Sequence, residues 1–320
     1  MMLRRNPHLC RSLLLCGLSF AILWAAGCNG DPFDKEPTDQ LRQRASNELS
    51  TFNFQLAADM YHSLLARTPG GDPTRPEVLF GLAMSLQNVV PATAVNIEES
   101  RRTFEQLLSE SPTCTFAPPA TLLLGRIAEV SDYMDDPVDL EGARQWYEKV
   151  IAGWPGQPIA DEAALRIGGT YIQQYDDRAA IEQGVRYLRD WLKDRPNNEM
   201  ASVMWQYLGQ TYELSLDNPG EALSAYLEAD RIGLVNQTLA GRMWWHMTEL
   251  AEKLGRTETA VTYYRKIVTE APRSGRAWEA QQALRRISEA HPEMRIVIPE
   301  LRSFMGDAAR EMTDQPEQTP

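Results

Sequence analysis

The sequence is poor in the residues that most often carry chemistry. Its 320 residues include four cysteines and four histidines. His62, His246 and His291 are far apart, and none stands four residues from another histidine. No HExxH, CxxC, GxSxG or phosphate-loop pattern occurs, so no metal, cofactor or catalytic residue is expected. Cys114 lies in Ser111-Pro112-Thr113-Cys114-Thr115 with no base or second thiol nearby in sequence, and reads as an inert thiol at a helix junction. The acidic stretch Asp132, Asp135, Asp136, Asp139, Glu141 lacks the alternate spacing and glycine of an EF-hand loop, so it reads as a solvated loop. An excess of positive charge is also missing. Lys and Arg total 32 against 44 Asp and Glu, a formal net charge of −12. Phosphate backbones are held by clustered Lys and Arg, so nucleic acid is not an expected partner. Finally, no apolar run reaches the roughly 20 residues that a spanning helix needs.

One shorter run is present. Arg4, Arg5 and Arg11 precede the apolar stretch Leu13 to Ala26, which ends in Ala25-Ala26-Gly27-Cys28. A basic start, a short apolar run and small residues at its end are the marks of an export signal, expected over residues 1–27. Removing Arg4, Arg5 and Arg11 takes the net charge from −12 to −15. It also removes Cys10 and Cys16, so no intramolecular disulfide is available beyond Cys28. The four residues ending at Cys28 resemble a bacterial lipoprotein box, with Ala25 where leucine is usual. That resemblance implies lipidation of Cys28 and membrane attachment through the lipid. Ordinary signal-peptidase cleavage near Gly27 is the other reading, whereas the residues around Arg4-Arg5 do not support twin-arginine export. Asn29 after the cysteine implies, by the same resemblance, the periplasmic face of the outer membrane.

The rest of the chain repeats itself. A small residue, a large apolar one four later, another three later and a proline five beyond recur in order. Ala57, Tyr61, Leu64, Pro69 make one set, and Ser100, Phe104, Leu107, Pro112 the next. Ala143, Tyr147, Val150, Pro155 and Gly184, Leu188, Trp191, Pro196 follow, then Ala260, Tyr264, Ile267, Pro272. Ala222, Tyr226, Ala229 fits the same frame, with Gly233 as the expected helix cap in place of proline. The small residue lets two helices approach, the large residue fills the wedge against the next pair, and proline stops the helix. Before four of the six sets stands a large apolar residue beside glycine, at Phe80-Gly81, Leu124-Gly125, Ile167-Gly168 and Leu208-Gly209. Thr74-Arg75-Pro76-Glu77 reads as a capping box, and Asn218-Pro219-Gly220-Glu221 as cap, proline and acid in order.

This frame resembles the tetratricopeptide repeat (TPR), most fully at Trp205, Leu208, Gly209, Tyr212, Ala222, Tyr226 and Ala229. The resemblance implies an all-α fold, a right-handed superhelical solenoid of about six TPR-like helix pairs plus a capping helix from Trp278 to Ser288. The expected organisation is a signal peptide over 1–27 and a lipidated cysteine with polar spacer over 28–40. A solenoid over 41–290 and a C-terminal extension with a disordered tail over 291–320 complete it. The stretch from Met294 to Phe304 is expected to fold back on the last repeat, with docking on a partner as the other reading. Successive small residues Ala57, Ser100, Ala143, Gly184, Ala222 and Ala260 lie 43, 43, 41, 38 and 38 apart, longer than the usual 34. The extra residues fall between the two helices of a pair, so they should emerge on one face. Long inter-helix loops on an exported chain resemble the TPR lipoprotein of the outer-membrane β-barrel assembly machinery and the repeat domain of the Tol–Pal cell-division coordinator.

In such repeats the first helices line the concave surface. That implies a partner groove of Gln206, Gln210, Arg242, Trp245, Glu249 and Glu252. Trp244 takes the packing position, so Trp245 either faces the groove beside Arg242 as an anchor for a partner or packs between units. The expected function is a non-catalytic protein-interaction scaffold, lipid-anchored in the bacterial cell envelope and serving an outer-membrane assembly or division complex. Its expected partners are envelope proteins or their peptide segments. The alternative is an envelope lipoprotein that binds glycan or another substrate, which clustered exposed aromatics would favour and packed tryptophans would disfavour.

Overall fold

The structure, a computed structural model, describes residues 31–234 and 240–301. The expected signal peptide, Cys28 and its lipid, Asn29 of the spacer, and the tail from residue 302, including Phe304, lie outside the described residues. Among the described residues the chain forms thirteen α-helices and no strand. It divides into two compact units, residues 1–111 and 112–320.

In the first unit, α1 (Thr38–Ser50) and α2 (Phe54–Arg67) form one pair, α3 (Arg75–Asn88) and α4 (Ala94–Glu110) the next. The second unit holds four more pairs. They are α5 (Ala117–Glu129) with α6 (Leu140–Gly153), α7 (Pro158–Ile172) with α8 (Arg178–Asp194), α9 (Ala201–Leu214) with α10 (Pro219–Ile232), and α11 (Ala240–Lys253) with α12 (Thr257–Glu270). A last helix, α13 (Ala277–Ala290), packs on α12. Each helix thus packs mainly on its chain neighbours, as a stacked helical repeat requires.

The prolines act as the repeat frame predicts. Helices α2, α4, α6, α8 and α12 each end two residues before Pro69, Pro112, Pro155, Pro196 and Pro272. The residue before each proline has left the helical region, with ψ between 48° at Ala271 and 94° at Thr68. A proline ring crowds its predecessor out of the α conformation, and that is the stop. Helix α10 ends differently, with Gly233 at φ 121°, a backbone conformation that glycine supplies cheaply.

Side-chain caps favour the second helices of the pairs. Thr93, Asp139, Asp177 and Asn218 each accept a backbone N–H from the first turn of α4, α6, α8 and α10. The capping box expected at Thr74 does not form. Its hydroxyl instead donates to Asp72 at 2.7 Å, and α3 begins without a side-chain cap. The short side chain is nearer to Asp72 in the preceding turn than to the helix amides, and that local bond wins.

The repeat frame also gives the core. Ala57, Ser100, Ala143, Ala222 and Ala260 are fully buried, as are Phe104, Tyr147 and Leu188. The large residues sit chiefly over their own pair, not only against the next one. An added Cβ on Gly125, Gly168 or Gly209 would strike Tyr147, Leu188 or Tyr226 of the following helix. Gly81 departs from this register: it lies under Tyr61 of the preceding helix, and Ala83 takes the place the other glycines occupy. The hydrogen bond from Ser100 Oγ to the Ala83 carbonyl, 2.8 Å, fixes that close approach.

Two ends depart from a simple frame. Phe33, within the stretch read as a polar spacer, is buried in the core of the first unit. Asp31 beside it is held by Ser63 and Arg67, at the far end of α2. At the other end, Met294, Ile296, Ile298 and Leu301 fold back as expected and pack on the core of the second unit. The Gln281 amide of α13 donates to the Pro299 carbonyl at 2.8 Å. Alternate residues point inward, so this extended segment covers the apolar face that another helix would otherwise cover.

Candidate functional site

The first helices of the second unit share a numbering frame. Ala117, Ala201 and Ala240 open α5, α9 and α11, Ala160 lies in the first turn of α7, and eight residues after them stand Gly125, Gly209, Thr248 and Gly168. Residues six and three before that glycine, and one after it, share a helix face because such spacings return to the same side. On α9 these are Val203, Gln206 and Gln210; on α7 they are Glu162, Leu165 and Gly169.

Both sets line one open cavity of 680 Å³. Leu165, Met200, Val203 and the ring of Tyr207 give it an apolar floor. Arg166 crosses it, paired with Glu162 at 3.1 Å and with Glu129 of α5 at 3.5 Å. Gln206 is half-buried and its amide donates to Ser202, whereas Gln210 is exposed. Burial, with the Tyr175 hydroxyl and the Glu129 carboxylate nearby, pushes the Tyr207 phenol up to about 12, so it stays protonated at neutral pH. The site therefore offers apolar surface, amide donors and acceptors, and a guanidinium already balanced by carboxylates.

The six expected groove residues do not come together. Gln206 and Gln210 line the cavity just described, and Arg242 and Trp245 line a second one of 830 Å³ with Arg276, Ser274 and Glu270. Glu252 lies at a third, paired with Arg286 at 2.5 Å. Glu249 is exposed and accepts the Trp245 indole N–H at 2.8 Å. Trp245 itself is half-buried: Tyr264 meets it edge-on at 5.6 Å and the Arg276 guanidinium covers it at 4.8 Å. Leu165, Arg166 and Tyr207 were not among the expected residues. The same arithmetic applied to α7 finds Leu165, but Arg166 and Tyr207 stand one position further round.

A recurring polar cluster sits beside this face. Four residues after Gly125 comes Glu129, which accepts the Tyr147 hydroxyl at 2.5 Å and faces Arg166 of the next pair. Four after Gly209 comes Glu213, which accepts the Tyr226 hydroxyl at 3.2 Å and pairs with His246 at 2.7 Å. Four after Thr248 comes Glu252, beside Tyr264 and Arg286. Where the second helix carries Phe104 or Leu188, the matching residue is Gln87 or Ile172 instead. A buried phenol needs an acceptor and a buried phenyl or isobutyl group does not, so the two positions change together within this one chain. Burial and the adjoining carboxylate raise the phenols of Tyr147 and Tyr226 well above the usual tyrosine range. His246, with Glu213 and the Tyr226 ring 5.6 Å away, is a packed and partnered histidine.

Other polar groups are likewise engaged in packing. Asp230 accepts from the Trp244 indole, the Tyr263 hydroxyl and the Lys266 ammonium, all within 2.9 Å. Asp161 accepts the Trp191 indole N–H at 3.0 Å, and Arg195 lies over that ring. Asp132 of the acidic loop pairs with Arg126 at 3.0 Å, and Cys114 is half-buried. Among the described residues no group of three or more His, Cys, Asp or Glu is placed to hold a metal ion. Among them, too, no helix is long and apolar enough to cross a membrane.

The repeat geometry is that of a TPR-like helical-repeat protein. Residues 243–274 match the tetratricopeptide repeat family. They span most of α11, all of α12 and the following turn, where the spacing from Thr248 to Ala260 carries no inserted loop. No curated protein matches the chain. Among solved structures, 42 chains match. One is named as an assembly chaperone of RpL4 (Acl4), residues 1–338; it is 15% identical, with a TM-score of 0.43, over 81% of this chain and 99% of its own.

Proposed function

We propose that the protein is a non-catalytic scaffold that binds segments of other proteins along the first-helix face of its second unit. The observation that supports this reading best is the 680 Å³ cavity, in which α5, α7 and α9 from three successive pairs contribute to one surface. Its apolar floor at Leu165, Met200 and Val203 suits apolar side chains of an extended segment, and Gln206 and Gln210 suit its backbone amides. Arg242 and Trp245 extend the same first-helix positions into the second cavity and serve as the secondary contact. Tryptophans engaged in packing, with Trp244 on Asp230, Trp191 on Asp161 and Trp245 under Arg276, favour this over glycan stacking.

We place the scaffold in the bacterial cell envelope, held by a lipid on Cys28 at the periplasmic face of the outer membrane, in an assembly or division complex. The basic start, the apolar run and the Ala25-Ala26-Gly27-Cys28 ending support that placement. Affinity purification of the tagged full chain from membranes, with mass spectrometry, tests the scaffold. A reproducible set of envelope proteins is expected, lost on Leu165→Asp and reduced by Gln206→Ala or Trp245→Ala. An identical set retained by Leu165→Asp would remove the cavity from the reading. Incorporation of labelled fatty acid, present in the native chain and absent in Cys28→Ser, tests the anchor separately.

A further inference from the structure

The loops joining the helices of a pair carry a feature that packing does not explain. In the second unit, three consecutive loops each expose a large apolar side chain. Met134 is 88% exposed, Tyr175 77% and Leu214, at the end of α9, 81%. A single such residue is ordinary on a protein surface. Three on successive loops of one repeat array form a row, because the array places equivalent loops side by side.

Contacts confirm that the loops are neighbours. Arg144, near the start of α6, stacks on Tyr171 at 4.4 Å and reaches Thr170 Oγ1 at 3.3 Å, so the Met134 loop adjoins the end of α7. A cavity of 260 Å³ lined by Arg178, Glu182, Leu216 and Asn218 lies between the Tyr175 loop and the Leu214 loop.

Each apolar residue stands near an exposed aspartate that forms no ion pair among the described residues: Asp135, Asp176 and Asp217. Apart from Arg186, which lines that cavity, the neighbouring charges are already taken. Asp132 holds Arg126, Asp177 caps α8, and Arg178 pairs with Glu182 at 3.1 Å. The row is therefore apolar at its tips and net negative between them. An anionic lipid surface would be repelled by those carboxylates. A segment presenting apolar side chains interleaved with Lys or Arg satisfies both features at once.

We propose that this loop edge of the second unit is a second docking surface, taking a basic, apolar-studded segment of a partner protein. It adjoins the first-helix cavity, whose Tyr207 has the Tyr175 hydroxyl nearby, but does not depend on the function proposed for that cavity.

The test uses the full chain and a labelled synthetic peptide of alternating Leu and Lys blocks, read by fluorescence anisotropy. A peptide with Glu in place of Lys is the counterpart. The Leu–Lys probe is expected to bind more weakly as salt rises, and the Leu–Glu probe not to bind. Asp135→Asn, Asp176→Asn and Asp217→Asn together should weaken binding about eightfold, since each exposed charge pair is worth a factor of about two. Met134→Ser, Tyr175→Ser and Leu214→Ser together should abolish it. These residues are solvent-exposed, so circular dichroism should show the fold unchanged. Asp190→Asn, Asp194→Asn and Glu289→Gln, an equal charge change on exposed helix positions, should leave binding within about twofold. Equal weakening by that control set would overturn the proposal in favour of whole-chain charge, as would equal binding of the Leu–Glu probe. Binding of the chain to phosphatidylcholine vesicles, or self-association, that is lost in the Met134, Tyr175, Leu214 variant would also overturn it, by assigning the edge to lipid or to a second copy.

Discussion

Gly168 and Gly169 are adjacent in the interior of α7, yet replacing them by alanine should have opposite effects. Either substitution gains about 1 kcal/mol of helix propensity, because glycine carries more backbone freedom into the unfolded chain. At Gly169 the nearest atom to an added Cβ is the Tyr207 hydroxyl at 3.8 Å, an ordinary contact. Gly169→Ala should therefore stabilise the protein by about 1 kcal/mol. At Gly168 the Cβ would come within 3.0 Å of three branch carbons of Leu188. Leu188 is fully buried, so it has no open space to turn into. The helices cannot ease apart cheaply either, because Gly184 of α8 already lies close against the Gly168 carbonyl. Overpacking of this kind costs about 1–3 kcal/mol, which cancels or exceeds the propensity gain. Gly168→Ala should fall between neutral and about 2 kcal/mol destabilising. The propensity terms cancel in the comparison, so the two variants should differ by about 1–3 kcal/mol. Urea denaturation followed by far-ultraviolet circular dichroism measures this, with equal slopes for the two variants required before the midpoints are compared. Stabilisation by Gly168→Ala equal to that by Gly169→Ala would refute the argument that close approach of α7 and α8 requires the first glycine.

Three further outcomes follow from the packing. Asp230→Ala removes the shared acceptor of Trp244, Tyr263 and Lys266, leaving a partly buried ammonium unpaired; it should cost about 3–5 kcal/mol by urea denaturation, against under about 0.5 for exposed Glu258→Ala. Tyr61, Tyr187 and Tyr207 are each pushed up to about 12, first by burial. A folded-state value above the unfolded value of about 10 means that their contribution is fully present below pH 10 and is lost as pH rises towards 12. Tyrosinate absorbance and loss of helix should then rise together in an alkaline titration, and tyrosine ionisation complete well before any loss of helix would contradict the burial argument. Ile296→Asp with Ile298→Asp should release the C-terminal segment from the last repeat and speed amide exchange in α13 roughly thirtyfold, taking each half-buried isoleucine as worth about 1 kcal/mol. Unchanged exchange would mean that the segment does not cover that helix.

Much of the fold was legible before any coordinates. The proline twelve residues after five of the six small residues ends its helix where expected, since the stop acts through the backbone of its own neighbour. Ala143, Tyr147 and Val150 are all fully buried because a helix returns them to one face. The candidate site was less legible. Gln206 and Trp245 occupy equivalent positions on α9 and α11, yet they line different cavities. The cavity floor at Leu165 and Met200 depends on how α7 sits beside α9, and the Gln206 contact to Ser202 depends on side-chain orientation. Gly81 looked like a member of the glycine series because it follows a large apolar residue. Its helix register puts Ala83 at the close approach instead, a distinction of two residues that composition cannot make.

The sequence by itself determined the class of fold, the helix ends and the buried faces, because those follow from backbone restriction and from the periodicity of a helix. The tertiary structure decided which polar groups meet. Glu129 reaches both Tyr147 and Arg166, and Glu213 both Tyr226 and His246, only because three helices from two successive pairs converge on one point. It also decided that Trp245 lies between Tyr264 and Arg276, and that Met134, Tyr175 and Leu214 share an edge. Such neighbours are separated by tens of residues in the chain, so no local pattern carries them; the stacking of one pair on the next brings them together.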